Sequence, residues 1–151
     1  MKSRACPDAL VPLRCGCATL RRASRAVTRL YGAALRPTGL RATQFTLLQA
    51  LDAVGEIRQA DLGEILAIDS TTLSRTLKPL VDAAWIEGSR GGDRRELLFR
   101  LTSPGREKLK SARARWRVAQ DRLQKSMGGA GWTGFLDALN RAAHAAQRIR
   151  L

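Results

Sequence analysis

Asp69-Ser70-Thr71-Thr72-Leu73-Ser74-Arg75-Thr76-Leu77-Lys78-Pro79-Leu80-Val81, followed by Trp85-Ile86-Glu87-Gly88-Ser89-Arg90, Gly91-Gly92-Asp93-Arg94-Arg95 and Glu96-Leu97-Leu98-Phe99-Arg100-Leu101, decides the fold. In the first run Asp69-Ser70 can cap a helix, and Leu73, Leu77, Leu80, Val81 and Ala84 recur at helical spacing. The period then changes. Residues 85–90 and 96–101 read as two short strands, joined by a glycine-opened turn loaded with arginine.

Upstream, a short helix from about Gln59 turns Leu62, Ile65 and Leu66 inward, and before it Thr43 can cap a helix carrying Phe45, Leu48 and Leu51 that Gly55 ends. A longer helix from Ala18 places Leu20, Ala23, Val27, Leu30 and Ala34 on one stripe, and Pro37 and Gly39 stop it. Downstream, Thr102-Ser103-Pro104 opens a helix whose Leu109, Ala112, Trp116, Ala119 and Leu123 form a seam suited to another helix. Gly128-Gly129-Ala130-Gly131 breaks it, and a last helix carries Trp132, Phe135, Leu136, Leu139 and Ile149. Two short helices and then a basic hairpin is the order of a winged helix-turn-helix. The expected fold is mainly α with a small β-hairpin wing, flanked by N- and C-terminal dimerisation helices. It divides into an N-terminal arm (1–15), a dimerisation helix (16–40), a DNA-binding winged helix-turn-helix (41–102) and C-terminal dimerisation helices (103–151), all in one structural domain.

Composition bounds the function. The 151 residues include 27 Lys and Arg against 13 Asp and Glu, a net charge of +14. That excess attracts polyanions, with nucleic acid or an anionic membrane as the obvious partners. No apolar run approaches the roughly 18–20 residues of a spanning helix, and Ala9-Leu10-Val11-Pro12-Leu13 is too short for a signal-peptide core, so the expected location is cytoplasmic with no membrane partner. A single histidine, His144, scattered carboxylates and no glycine-rich phosphate loop supply no catalytic set, so the chain reads as no enzyme and requires no cofactor. His144 and the tryptophans Trp85, Trp116 and Trp132 read as structural.

On the fourth helix Ser70, Thr71, Thr72, Ser74, Arg75 and Lys78 point away from the leucine stripe. Short hydroxyl side chains there can bond phosphates or base edges, and Arg75 can span a guanine through its two acceptors. Arg90 and Arg94 suit phosphates. The run Leu40-Arg41-Ala42-Thr43-Gln44-Phe45, Leu62-Gly63-Glu64-Ile65-Leu66, the helix from Asp69 to Leu77, and above all Asp93-Arg94-Arg95 followed by Leu101-Thr102-Ser103-Pro104-Gly105 resemble the multiple-antibiotic-resistance regulator (MarR) family. The resemblance covers about residues 16–150. It implies a triangular homodimer on a palindromic double-stranded DNA operator, typically a repressor released by a small-molecule effector or by oxidation. It also implies that Arg95 enters the minor groove, with Asp93 orienting it by a charge-assisted bond.

The three cysteines, Cys6, Cys15 and Cys17, are odd in number, crowd the N-terminus and frame no disulfide scaffold. Cys17 falls where the hydroperoxide-sensing branch of that family keeps its reactive cysteine, and Tyr31 matches one of the tyrosines around it. The other two tyrosine positions are Arg21 and Ala42 here. A cysteine at a helix N-terminus beside Arg21 and Arg22 is placed to favour the reactive thiolate, whose oxidation could distort a dimer seam. Alternatively, Cys15, Cys17 and Cys6 could together hold a soft metal or arsenite, or all three could be inert. A different class of function also fits the charge: a sequence-neutral nucleoid-associated or RNA-binding basic protein.

Overall fold

The computed structural model describes residues 14–92 and 96–149, in which six α-helices surround a small antiparallel sheet. The elements in chain order are α1 (Gly16–Leu35), α2 (Ala42–Val54), β1 (Ile57–Arg58), α3 (Gln59–Leu66), α4 (Ser70–Asp82), β2 (Ile86–Arg90), β3 (Leu97–Leu101), α5 (Ser103–Met127) and α6 (Gly129–Arg148). This is the mainly helical, winged arrangement that the sequence predicts. The sheet order is β1-β3-β2, with Gly88 and Ile57 both facing Phe99 across β3. At two residues β1 is too short to show alternation, which is why the sequence reading passes over it.

Phe45, Leu48 and Leu51 of α2, Leu62 of α3, Leu73, Leu77 and Leu80 of α4, Ile86 and Leu101 of the strands and Leu109 of α5 are buried in one core. Complete burial stabilises each such leucine by about 1.5–3 kcal/mol over its exposed state, enough to fix which face of α4 remains outside. After α1, Arg36–Thr38 form a tight 3-10 turn, and Gly39 takes a left-handed φ of 73° that reverses the chain into α2.

Several local expectations are corrected. Thr43 does not cap α2; the helix begins one residue earlier, where Gln44 Oε1 accepts a 2.9 Å hydrogen bond from the Arg41 N–H. Ile65 and Val81 match the apolar periodicity but stand 57% and 41% exposed, because short helices meet the core over a narrow arc. Ala84 lies outside α4, with φ 55° in the turn to β2. Only Gly128 separates α5 from α6, and the glycine-rich run continues as helix from Gly129. The seam on α5 is filled within the chain: Leu109, Ala112 and Ala119 are buried, and Trp116 stacks on Tyr31 of α1 (6.4 Å) and packs on Phe45 of α2 (5.9 Å). Arg113 adds a 2.7 Å ion pair to Asp52 of α2.

Candidate nucleic-acid interface

The turn between α3 and α4 is built to present α4. Ala67 closes α3 in the left-handed region at φ 51°, and the Ile68 N–H returns to the Gly63 carbonyl at 2.9 Å. Asp69 then accepts the Thr72 N–H at 2.9 Å, capping α4. Hydrogen bonds from Thr72 hold the Asp69 carboxyl below its usual range. With Leu73, Leu77 and Leu80 buried, Ser70, Thr71, Thr72, Ser74, Arg75 and Lys78 are all exposed. Arg75 has no ion-pair partner among the described residues, whereas Lys78 is engaged by Asp82 at 3.0 Å. Ser74 is engaged too: its hydroxyl donates to the Ser70 carbonyl (2.8 Å) and accepts from Gln59 Nε2 (2.9 Å).

The wing is anchored at its root. Glu87 and Arg100, directly opposite in the β2–β3 register, pair at 2.9 Å. Thr102 caps α5 by accepting the Gly105 N–H at 3.0 Å, and its hydroxyl donates to the Ala84 carbonyl at 2.7 Å. Gly105 packs so closely on the Trp85 backbone that a Cβ there would lie 1.9 Å from the carbonyl oxygen. The Leu-Thr-x-x-Gly run therefore staples α5 to the end of β3 and the start of β2. Arg90 ends β2, exposed. Asp93, Arg94 and Arg95 lie outside the described residues, as does Cys6.

Sequence reasoning missed a junction between these parts. Arg58 donates to Asp61 of α3 (2.7 and 3.0 Å) and to Glu96 at the root of β3 (3.4 Å), while its neighbour Gln59 reaches α4. Hydrogen bonds to Asp61, then to Glu96, hold the Arg58 guanidinium even further above its ordinary pKa. No local pattern signals this contact, since its partners lie far apart in the chain.

Cys15 is the N-cap residue of α1 and Cys17 lies in its first turn; both are free and exposed. Tyr31 is about 21 Å further along the same helix, so it cannot meet Cys17 within one chain. Its hydroxyl instead donates to Gln120 Oε1 of α5, and burial raises its pKa. Among the described residues no group of histidine, cysteine or carboxylate side chains is placed to hold a metal. No described helix is long and apolar enough to cross a membrane.

The charge excess lies outside the winged helix. From Ala42 to Leu101 the chain has seven basic and nine acidic residues, a net −2, so the remainder carries +16. The interface on α4 and the wing is thus a local constellation of cations on an otherwise balanced unit.

A family model described as the MarR family matches residues 38–96. The M. tuberculosis transcriptional regulator MosR, solved in complex with DNA, superposes with a TM-score of 0.83 at 31% identity, over 91% of this chain and 99% of that one. The chain belongs to the MarR family. Among curated MarR-type relatives, the multiple antibiotic resistance protein MarR of Salmonella typhimurium is 35% identical over 78 residues, 51% of this chain and 54% of its own length. The uncharacterized HTH-type regulator YwoH of Bacillus subtilis is 28% identical over 89 residues, 59% of this chain and 65% of its own. The chain thus matches between about half and two thirds of the length of these curated relatives. Fold and relatives alike are those of MarR-family transcriptional regulators rather than enzymes.

Proposed function

We propose that this MarR-family chain is a repressor that binds a palindromic operator as a homodimer. The observation that carries the reading is the two-sided α4: its leucines are locked in the core while Thr71, Ser74 and the unpaired Arg75 are left outside, beside the wing. The helix enters the major groove by its N-terminal half, Arg75 reads a base edge, and Arg90, Arg94 and Arg95 follow the backbone and minor groove, with Asp93 orienting Arg95. Ser70, Thr72 and Lys78 contact phosphates, Lys78 by exchanging Asp82 for the DNA. That MosR, similar over nearly its whole length, has been solved with DNA supports this assignment. Selection from random duplexes tests it. A two-fold consensus is the expected result; no enrichment would assign the chain to sequence-neutral DNA or RNA binding instead.

Release is proposed through a small aromatic effector. A cavity of about 220 Å³ opens among Val27, Thr28, Tyr31, Phe45 and Trp116, between the dimerisation helix and the winged helix, so an occupant there would bias their relative position. Thiol oxidation or metalloid capture at the N-terminal cysteines is the second route, favoured by the exposure of Cys15 and Cys17. Operator binding with and without peroxide or arsenite, in the wild type and in Cys17→Ser, separates the two routes.

A further inference from the structure

We infer that Arg58 is a positioning residue for DNA recognition: it holds the Glu96 carboxylate against Gly91 and so sets the angle between the wing and α3 and α4. The inference rests on the operator reading above and deepens it by naming what aligns the two reading elements.

The sheet register creates the contact. Arg58 on β1 lies opposite Leu98 of β3, and Glu96 stands two residues before Leu98, so it is a diagonal cross-strand neighbour within reach of a long side chain. The forked guanidinium uses that reach. It grips both carboxylate oxygens of Asp61, in the first turn of α3, at 2.7 and 3.0 Å and extends its remaining nitrogen to Glu96 at 3.4 Å. Glu96 also lies over Gly91, where an added Cβ would stand 2.8 Å from Oε2 and 3.0 Å from the Glu96 Cβ. The bare glycine leaves the room that the carboxylate occupies, and its N–H donates to the Glu96 carbonyl at 3.0 Å.

Packing does not align the wing in place of this contact. A cavity of about 700 Å³ opens between α3, the start of α4 and the root of β3, with Arg58, Asp61, Leu73, Glu96 and Leu97 among its walls. Leu97 is 46% exposed beside it. Arg58 and Glu96 thus meet at the edge of a space that the described side chains leave open. The adjacent Gln59 donates to Ser74 at 2.9 Å, so one dipeptide joins the wing, α3 and α4. An exposed ion pair adds little to folding stability, so its consequence is orientation rather than fold.

The experiment measures operator discrimination by the full-length wild type, Arg58→Gln, Glu96→Gln, their double variant and Gly91→Ala, whose backbone needs no positive φ. Single-base changes in a selected operator are sorted first. Positions whose preference disappears in Arg95→Ala belong to the wing, and those that disappear in Arg75→Ala belong to α4. On scrambled duplex Arg58→Gln, which removes a cation, should lower affinity, whereas Glu96→Gln, which removes an anion, should raise it. Despite these opposite effects, both variants and Gly91→Ala are expected to lose discrimination about two- to fivefold at the wing positions and keep it at the α4 positions. The double variant should lose no more than either single one, because both break the same contact.

Full discrimination in Arg58→Gln or in Glu96→Gln overturns the inference. So does an equal loss at wing and α4 positions, which would make Arg58 a general structural residue. A fall of about 0.9 in the slope of log K against log salt in Arg58→Gln, with normal discrimination in Glu96→Gln, would place Arg58 on a phosphate instead. Should the wild type bind selected and scrambled duplexes equally, the operator reading fails by itself, and the free protein still decides the inference. There the Gly91 amide should exchange about two- to fivefold faster in Arg58→Gln and in Glu96→Gln, while the Thr102 amide at the other end of the hairpin is unchanged. An unaltered Gly91 rate overturns the inference.

Discussion

Gly105 shows how one residue can fix the join between a wing and a helix. Any side chain there would drive its Cβ to 1.9 Å from the Trp85 carbonyl oxygen, and that carbonyl also accepts the Thr102 N–H at 3.2 Å. Gly105→Ala must therefore move backbone rather than a flexible side-chain end, with an expected cost of about 1–3 kcal/mol or more. Urea unfolding should show a lowered midpoint at unchanged m-value; wild-type stability would mean the contact is absent in solution. Tyr31, the sole tyrosine, supplies a second test. Burial favours its neutral phenol, so its folded pKa lies above the ordinary 10.0. The associated stability is present below pH 10 and is lost as pH rises through the folded value. Tyrosinate absorbance should rise with a midpoint above 10 in the native protein, and a midpoint at or below 10 would put the hydroxyl in water.

At the scale of elements, α4 was the most legible part of the sequence, because its cap, its leucine period and its polar face all point to one answer. Its cap carries a pH prediction. The Asp69 carboxyl is lowered by hydrogen bonds from Thr72, so capping is fully present above the ordinary 3.8 and is lost as pH falls through the lower folded value. The Thr72 amide should lose hydrogen-exchange protection in that acid window, and Asp69→Asn, which keeps an acceptor, should remove the dependence. An equal acid response in both variants would mean that another carboxylate governs α4. What was not legible depended on contacts distant in sequence. Two-residue β1 has no period to read, and the Arg58–Glu96 bridge joins residues that only the sheet brings together. Thr43 misled because a side chain three residues into the helix, Gln44, satisfies the first N–H from the other direction. Ile65 and Val81 misled because periodicity marks a face without saying how much of it the core covers. The α5 seam reads as a pairing surface, and α1 and α2 of the same chain fill much of it.

At the scale of the molecule, α6 is unfinished. It has no buried residue, although Trp132, Phe135, Leu136 and Leu139 share one side and Leu136 is 40% exposed. An amphipathic helix left in this state needs a partner, and in the proposed homodimer a second copy would supply one and would also set two α4 helices for successive major grooves about 34–36 Å apart. Leu136→Glu should therefore weaken dimerisation by about thirtyfold or more, as expected for a charge forced into the centre of an apolar interface. Sedimentation equilibrium would show the mass falling towards that of one chain at concentrations where the wild type is paired. Operator affinity should fall with it, since a single subunit reaches only one half-site, while far-UV circular dichroism stays unchanged because Leu136 contributes to no core within the chain. A variant that remains a dimer with full operator affinity would show that the two-fold axis does not pass beside α6.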